Sequence, residues 1–283
     1  MNLRRSLPFF LALFIFFGTA QTAKANDEAI TENNHGYVLY KQGDLDGAIA
    51  SYTKATELDP KFAMAYYNRG LAKREKGDLD GELADYSKAI EIDSKYEQAY
   101  YNRGIAREEK GDFDGSISDN SEIIKLDPKS AKAYYNRGIA RGQKGDLDGA
   151  MADNTQAIRL DPKYTQAYYN RALARAQKGD TKGAIEDNTQ VVALSPNNAE
   201  AYFNRGASYW KEKDYDKTIA DFEKAMALNP SYKAQAAPVI EQAKQFKAEA
   251  EQQKQTSPAE GGSLPVPARP AGGQQAGASD GKG

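Results

Sequence analysis

One hexapeptide recurs through this sequence at a fixed interval. AYYNRG at residues 65–70 returns every 34 residues, at positions 99, 133, 167 and 201, and the last two copies read AYYNRA and AYFNRG. Such an interval is typical of stacked structural repeats, in which each unit buries its apolar face against its neighbours. The sequence therefore predicts six units, at residues 29–62, 63–96, 97–130, 131–164, 165–198 and 199–232.

Each unit divides into two segments of helical length around the turn KGDLD or a close variant. Glycine permits the left-handed conformation that ends the first helix, and the following aspartate can cap the second. Most second segments end before a proline, as at Asp59-Pro60, because the residue before proline is disfavoured in a helix. Small and apolar residues recur there at helical spacing, as at Ala48, Tyr52 and Ala55. Each unit is thus predicted to be a helical hairpin with one buried face.

These features resemble the tetratricopeptide repeat, a 34-residue helix–turn–helix. The resemblance covers residues 29–232 and implies an all-α, right-handed α-solenoid whose first helices line a concave groove. Three positions depart from the family pattern: Ser94 replaces a proline, Lys213 the turn glycine, and Glu82 a small residue of the second helix. Residues 234–255 are rich in helix formers, and we expect them to form a C-terminal capping helix with a polar outer face.

The two termini differ from the repeats in composition. Residues 1–25 contain two arginines, an apolar run over residues 7–17 and the tripeptide Ala-Lys-Ala at 23–25, which is typical of a signal peptide. A membrane anchor is the alternative, but the run is shorter than the roughly twenty residues that span a bilayer. We therefore expect cleavage after residue 25 and an exported bacterial protein, periplasmic or secreted. Residues 256–283, rich in Pro, Gly, Ala and Gln, are predicted to be a disordered tail.

The composition argues against several functional classes. The chain has no cysteine and one histidine, and we find no Gly-rich phosphate loop or serine elbow, so no enzyme, metal site or cofactor is expected. With 38 Lys and Arg against 40 Asp and Glu, the net charge of -2 indicates no basic surface for nucleic acid. No stable membrane insertion is expected once the signal peptide is removed.

An arginine and an aspartate stand sixteen residues apart in five of the units. The pairs are Arg69 and Asp85, Arg103 and Asp119, Arg137 and Asp153, Arg171 and Asp187, and Arg205 and Asp221. In the first unit both are replaced together, by His35 and Ser51. This joint replacement favours an ion pair between the two helices of a hairpin over a role in ligand binding.

An asparagine precedes the arginine position in all six units. The six residues are Asn34, Asn68, Asn102, Asn136, Asn170 and Asn204. An amide both donates and accepts, so it can pair with the main chain of an extended ligand. The resemblance implies this role, because asparagine at this place contacts the ligand backbone in peptide-binding tetratricopeptide domains. The alternative is a hydrogen bond to the neighbouring helix.

A second aromatic residue recurs in five units. These residues are Tyr67, Tyr101, Tyr135, Tyr169 and Phe203. If the family geometry holds, the rings face the groove and supply apolar area with hydroxyls, which is typical of protein-binding surfaces. Alternatively, the rings fill space between adjacent first helices. The family's two-carboxylate clamp is not expected, because places where it needs polar residues hold residues such as Tyr67 and Leu71.

Together these patterns predict a non-enzymatic scaffold or adaptor of the bacterial cell envelope. Its protein partner would place a peptide segment in the groove, on the asparagines and the aromatic residues. The alternative is a self-assembling solenoid, in which the partner is a second copy of the chain and the product a homo-oligomer. An enzyme or a metal protein would require a cluster of reactive or ligating side chains that we do not find in the sequence.

Overall fold

The structure, a computed structural model, describes residues 7–256; the predictions made for residues 1–6 and 257–283 lie outside this range. Within it the chain forms thirteen α-helices, one short 3-10 helix and no strand. The α-helices are α1 Leu7–Gln42, α2 Leu45–Leu58, α3 Ala63–Glu75, α4 Leu79–Ile92, α5 Glu97–Glu109, α6 Phe113–Leu126, α7 Ala131–Lys144, α8 Leu147–Leu160, α9 Thr165–Gln177, α10 Thr181–Leu194, α11 Ala199–Lys211, α12 Tyr215–Leu228 and α13 Lys233–Thr256. Consecutive helices from α1 to α12 pack as hairpin pairs, and α13 follows as a cap. The predicted all-α solenoid of helical hairpins is confirmed.

The turns inside the hairpins follow the predicted chemistry. Five turn glycines have φ between 75° and 91°: Gly43, Gly77, Gly111, Gly145 and Gly179. In the sixth turn Lys213 adopts φ 60°, a conformation that a residue with a Cβ enters at a cost. The aspartate after each turn caps the second helix; Asp44 Oδ1, for example, accepts a hydrogen bond from the Gly47 amide at 2.9 Å.

The second helices end in an extended residue whether or not proline follows. Asp59, before Pro60, has φ -130° and ψ 95°. Asp93, before Ser94, has nearly the same angles, φ -126° and ψ 97°. The missing proline therefore leaves the boundary unchanged.

Small residues let the helices approach closely. Ala48, Ala65 and Ala99 are fully buried. A Cβ atom on Gly70 would lie 2.6 Å from the ring of Tyr86, so only glycine fits at that contact. The small residues at both ends of the hexapeptide are thus explained by packing.

Glu82 is an unusual member of this core. Its side chain is buried where Ala48 and Ala150 stand in other units, and its Oε2 has no hydrogen-bond partner in the described part of the chain. Burial raises the pKa of Glu82 above its ordinary value, although the positive charge of Arg74 opposes this rise. A buried carboxylate with an unpaired oxygen lowers the stability of the fold.

Exposed ion pairs mark the interfaces between units. Lys110 Nζ lies 2.6 Å from Asp80 Oδ1 of the preceding unit. Equivalent pairs join Lys76 to Asp46, Lys144 to Asp114 and Lys178 to Asp148. At the next interface the two charges are reversed, because Lys182 stands at the aspartate position and Glu212 at the lysine position. Each exposed pair contributes little energy, but the recurrence shows that the units stack in one register.

The helix α13 uses the contacts of a further first helix. Lys247 pairs with Asp216, the aspartate equivalent to Asp46. The ring of Phe246 stacks on Trp210, with centroids 5.9 Å apart and planes inclined by 23°. On the buried side of α13, Ala236 and Ile240 form a cluster with Phe222 of α12. Its first half therefore covers the apolar end of the array.

The helices at both termini extend across predicted boundaries. The α1 helix begins at Leu7, so the expected cleavage site after Ala25 lies within it, and cleavage stays a prediction. The α13 helix ends at Thr256, the first residue of the predicted tail; the rest of that tail lies outside the described residues. Over the range that the structure describes, we find no helix with enough length and apolar character to cross a bilayer.

Candidate functional site

The arginines of the repeats are engaged inside the fold. Arg137 Nε and Nη2 donate to the two carboxylate oxygens of Asp153, at 2.9 and 2.7 Å. The same two-point pairing joins the other four predicted pairs, Arg69 with Asp85, Arg103 with Asp119, Arg171 with Asp187 and Arg205 with Asp221. In the first unit His35 Nδ1 lies 3.1 Å from Ser51 Oγ. The predicted structural pairs are confirmed.

Sequence reasoning missed a second partner of each arginine, a hydroxyl group of the preceding unit. Arg137 Nη1 donates to Ser121 Oγ of the preceding unit at 3.1 Å. The corresponding hydroxyls are Thr53, Ser87, Thr155 and Thr189. A hydroxyl residue sixteen positions before each arginine was the available signal. Each arginine therefore joins two units as well as two helices.

Four of the five aspartates also bind a second cation. Arg141 Nη1 lies 2.8 Å from Asp153 Oδ2. Lys73, Arg107 and Arg175 take the same place at Asp85, Asp119 and Asp187. Asp221 is the exception, because Arg205 is its only cation within 4 Å among the described residues and Tyr209 stands at the second place.

The asparagines form hydrogen bonds from one unit to the one before. Asn102 Nδ2 donates to the Tyr67 hydroxyl at 3.0 Å, and Asn204 Nδ2 to the Tyr169 hydroxyl at 3.4 Å. Asn170 makes a side-chain hydrogen bond to Tyr135, which opposes the rise that burial causes in the tyrosine pKa. These asparagines therefore use their donors within the fold, which leaves the carbonyl oxygens as their acceptors.

Three asparagines deviate from this pattern. Asn68 Nδ2 donates to Asn33 Oδ1 at 2.9 Å, because Asn33 occupies the aromatic place in the first unit. Asn34 has no preceding unit and is exposed. Asn136 makes no hydrogen bond to Tyr101 in the described structure; Lys132 Nζ instead lies 3.8 Å from the centroid of that ring.

The five predicted rings fall into two groups. The groups differ in the last residue of the unit, named here the linker residue, which directly precedes the first helix of the next unit. Three rings are covered by an aromatic linker residue: Tyr67 by Tyr96 at 5.0 Å between centroids, Tyr135 by Tyr164 at 4.9 Å, and Phe203 by Tyr232 at 4.7 Å. At Tyr101 and Tyr169 the linker residues are Ser130 and Asn198, which carry no ring. These two tyrosines border open cavities.

The first cavity, of about 300 Å³, is lined by Tyr67, Tyr101, Asn102, Ser130 and Lys132, among others. The second, of about 400 Å³, includes Tyr135, Tyr169, Asn170, Asn198 and Glu200. Six of the predicted site residues thus come together in two equivalent places, two units apart. The remaining ones, Asn34, Asn68, Asn136, Asn204 and Phe203, line neither cavity.

The two cavities differ in charge. The first carries the ammonium group of Lys132, and the second the carboxylate of Glu200. The Tyr169 hydroxyl donates to Glu200, and burial together with this bond raises the pKa of Tyr169 well above its usual value. Both places combine ring surface with hydrogen-bonding groups, which suits an extended polypeptide. Among the described residues no cluster of three or more His, Cys, Asp and Glu side chains could hold a metal ion.

Comparison with known protein families identifies the repeats. One family model, described as TPR repeat, matches residues 36–77, 70–111 and 172–213. A second, described as tetratricopeptide repeat, matches residues 131–164 and 199–232. Together the two models cover more than half of the chain. A search of curated proteins found no significant match.

Several solved structures share the fold. The crystal structure of MamA is 28% identical, with a TM-score of 0.56, and the match covers 61% of this chain and 94% of MamA. YrrB, described as a TPR protein with an unusual peptide-binding site, is 23% identical over 69% of this chain and 97% of its own, with a TM-score of 0.57. PilF of Pseudomonas aeruginosa is 17% identical over 80% and 99%, with a TM-score of 0.60. The likeness to YrrB and PilF concerns the fold alone.

Proposed function

Because this chain belongs to the tetratricopeptide-repeat family, we propose that it is a non-enzymatic scaffold that binds an extended peptide segment of a partner protein. The binding surface would be the face formed by the first helices α1, α3, α5, α7, α9 and α11, named here the first-helix face. The observation that carries the proposal is the pair of equivalent cavities at Tyr101 and Tyr169. A fold shared with YrrB is consistent with a peptide site on this architecture.

The hydrogen-bonding groups suggest how the peptide would be held. The amide nitrogen of Asn102 donates to the Tyr67 hydroxyl, and the side chain of Asn170 interacts with Tyr135. The carbonyl oxygens of both asparagines can accept from main-chain N–H groups of a ligand. The tyrosine hydroxyls can donate to main-chain carbonyls. Because Lys132 and Glu200 carry opposite charges, a ligand with an acidic residue near Lys132 and a basic residue near Glu200 would bind in one direction.

Photo-crosslinking tests where the partner binds. Tyr101 and Tyr169 are each replaced by p-benzoylphenylalanine in cells that naturally make the protein. The matched control carries the same group at Glu186 in α10, whose side chain is 75% exposed. We expect one partner to be crosslinked from both tyrosine positions and not from the control. A partner crosslinked only from Glu186 would contradict the proposed surface.

The affinity for a peptide taken from the crosslinked partner provides the quantitative test. Asn102→Ala combined with Asn170→Ala should weaken binding at least tenfold, or about 1.4 kcal/mol. The matched control is Asn136→Ala, which removes the same side chain from a place that lines neither cavity. Calorimetry measures the affinity, and circular dichroism checks that each variant is folded. Equal affinities for the double variant and the control would refute the role of the asparagines.

We also propose that the protein has six repeats and acts in a bacterial cell envelope after export. Support comes from the signal-like pattern of residues 1–25 and from the 34-residue interval. Mass spectrometry of the protein recovered from the periplasm or medium of an expressing bacterium should find an N-terminus at Asn26. A full-length protein retained inside the cells would count against export.

Self-association is a second candidate, and one observation favours it. Ile30, Tyr37 and Val38 of α1 are about half exposed, at the end of the array that has no preceding unit. An apolar surface at an open end can associate with a second copy. Light scattering coupled to size-exclusion chromatography should then give a dimer that becomes a monomer in Tyr37→Glu.

A further inference from the structure

A third cavity lies on the first-helix face between α7 and α9. Its volume is about 310 Å³, and it meets the second cavity at Asn170, which lines both. Gly138, Gly142, Ala150 and Asn154 contribute from one unit, and Gln177 from the next. Its lining contains no charged residue.

The cavity exists because two positions that hold rings elsewhere are small here. The place of Gly142 is taken by Tyr40 in the first unit and by Trp210 in the sixth. The place of Asn154 holds an aromatic residue in three other units, as Tyr52, Tyr86 and Phe222. In the sixth unit Trp210 lies 5.6 Å from Tyr215 and 5.9 Å from Phe246 between ring centroids. The architecture therefore accommodates an aromatic ring at this place.

Packing does not require the glycine at position 142. A Cβ atom there would meet only the Cβ of Ala150 at 3.8 Å, an ordinary contact, whereas one on Gly138 would lie 2.9 Å from Asn154 Nδ2. Position 142 also lies within α7, where glycine is less favourable than alanine. The glycine thus destabilises the helix, and its visible structural effect is an open cavity.

Asn154 gives the cavity a polar floor. Its side chain is 1% exposed, and its Nδ2 donates to the Ala150 carbonyl at 2.8 Å. Its Oδ1 has no hydrogen-bond partner in the part of the chain that the structure describes. The equivalent Asn120 and Asn188 also leave Oδ1 unpaired, so this feature belongs to the repeat, and the accessible acceptors of the cavity are the amides of Asn170 and Gln177.

We propose that this cavity is a subsite for a tryptophan or tyrosine side chain. The uncharged lining disfavours a lysine or an arginine, and the apolar walls suit a ring. The indole N–H or phenol O–H at the end of such a ring needs a partner when it is buried, and the side-chain carbonyl of Asn170 or Gln177 in the lining can accept it. The inference rests on the proposed function in one respect, since the ring is taken to belong to the peptide on the first-helix face.

Nuclear magnetic resonance with small amides tests the subsite on the full chain. The isotopically labelled protein is titrated with N-acetyl-L-tryptophanamide, N-acetyl-L-leucinamide and N-acetyl-L-lysinamide. We expect saturable shifts of the amides of Gly138, Gly142 and Gln177 with the tryptophan compound, and at least tenfold weaker binding of the other two. No saturable shifts, or equal binding of the three compounds, would overturn the proposal without any variant.

A filled cavity provides the second arm of the experiment. Gly142→Tyr places a ring where Tyr40 stands in the first unit and should weaken binding of the tryptophan compound at least tenfold. The matched control is Ala176→Tyr, the same place in the next unit, which does not line the cavity and should bind as the wild type does. Unchanged binding to Gly142→Tyr would overturn the proposal.

This experiment separates the subsite from the proposed function, because the small amide needs no partner protein. Saturable binding of the amide, with partner affinity unaffected by the asparagine changes, would refute the peptide surface and support the subsite. No binding of the amide, with partner affinity weakened by those changes, would refute the subsite and support the surface.

Discussion

Arg205→Ala should lower the free energy of unfolding by about 3 kcal/mol, roughly twice the loss in Arg137→Ala. Asp221 is 9% exposed and has one cation, so removing Arg205 leaves a buried charge uncompensated. Asp153 is 4% exposed and keeps Arg141 at 2.8 Å when Arg137 is removed. The loss there is that of charged hydrogen bonds alone, about 1.5 kcal/mol. The unpaired Asp153 that sequence reasoning would expect after Arg137→Ala does not arise.

Asp153 and Asp221 differ in more than their number of cations. Variants of Arg137 and Arg141, which both pair with Asp153, test the compensation at a single aspartate. Arg137→Ala and Arg141→Ala should each cost about 1.5 kcal/mol, whereas the double variant should cost about 4 kcal/mol, because Asp153 then has no cation. Urea titrations followed by circular dichroism give the free energies. Hydrogen exchange of α8 and α12 shows whether the loss is local, as expected where units contact only their neighbours. Strict additivity, or equal losses in Arg137→Ala and Arg205→Ala, would refute the compensation.

Three further changes test separate features. Glu82→Gln should stabilise the protein at pH 7. Burial raises the pKa of Glu82 in the folded state, so the carboxylate lowers the stability once the pH exceeds the pKa of this group in the unfolded chain, near 4.5. Urea titrations should therefore show a gain that shrinks at pH 4, and an equal gain at both pH values would contradict this cause. Lys213→Gly should raise the free energy of unfolding by about 1 kcal/mol, and Gly145→Ala should lower it by a similar amount, because both residues have positive φ. Thermal unfolding measures both variants, and an unchanged melting temperature would exclude backbone strain as the cause. Ser130→Tyr should cover Tyr101 as Tyr96 covers Tyr67 and weaken partner binding at least tenfold; unaltered affinity would exclude the first cavity.

The hairpins could be predicted from the sequence because their causes are local. The turn glycine and the capping aspartate act within a few residues of each other, and the Arg–Asp pairs lie within one unit. Even the absence of proline at Ser94 changes nothing, since Asp93 is extended as Asp59 is. Local chemistry of this kind repeats with the unit and is visible in one sequence.

The contacts between units could not be predicted in the same way. An asparagine amide can turn toward a ligand or toward a neighbouring hydroxyl, and only the stacking geometry shows that Asn102 reaches Tyr67. The alternation of Tyr96, Ser130, Tyr164 and Asn198 is readable in the sequence. Its effect on the cavities depends on where the linker crosses the rings, which follows from the packing of one hairpin on the next.

The pairing of Lys247 with Asp216 shows that the closing helix is held by the same link that joins one hairpin to the next. An in-frame duplication or deletion of one of the units between residues 63 and 164 would therefore leave a lysine opposite an aspartate at each new junction, and the closing helix would still dock. Within that part of the array the number of hairpins can change in whole units without redesign of either end.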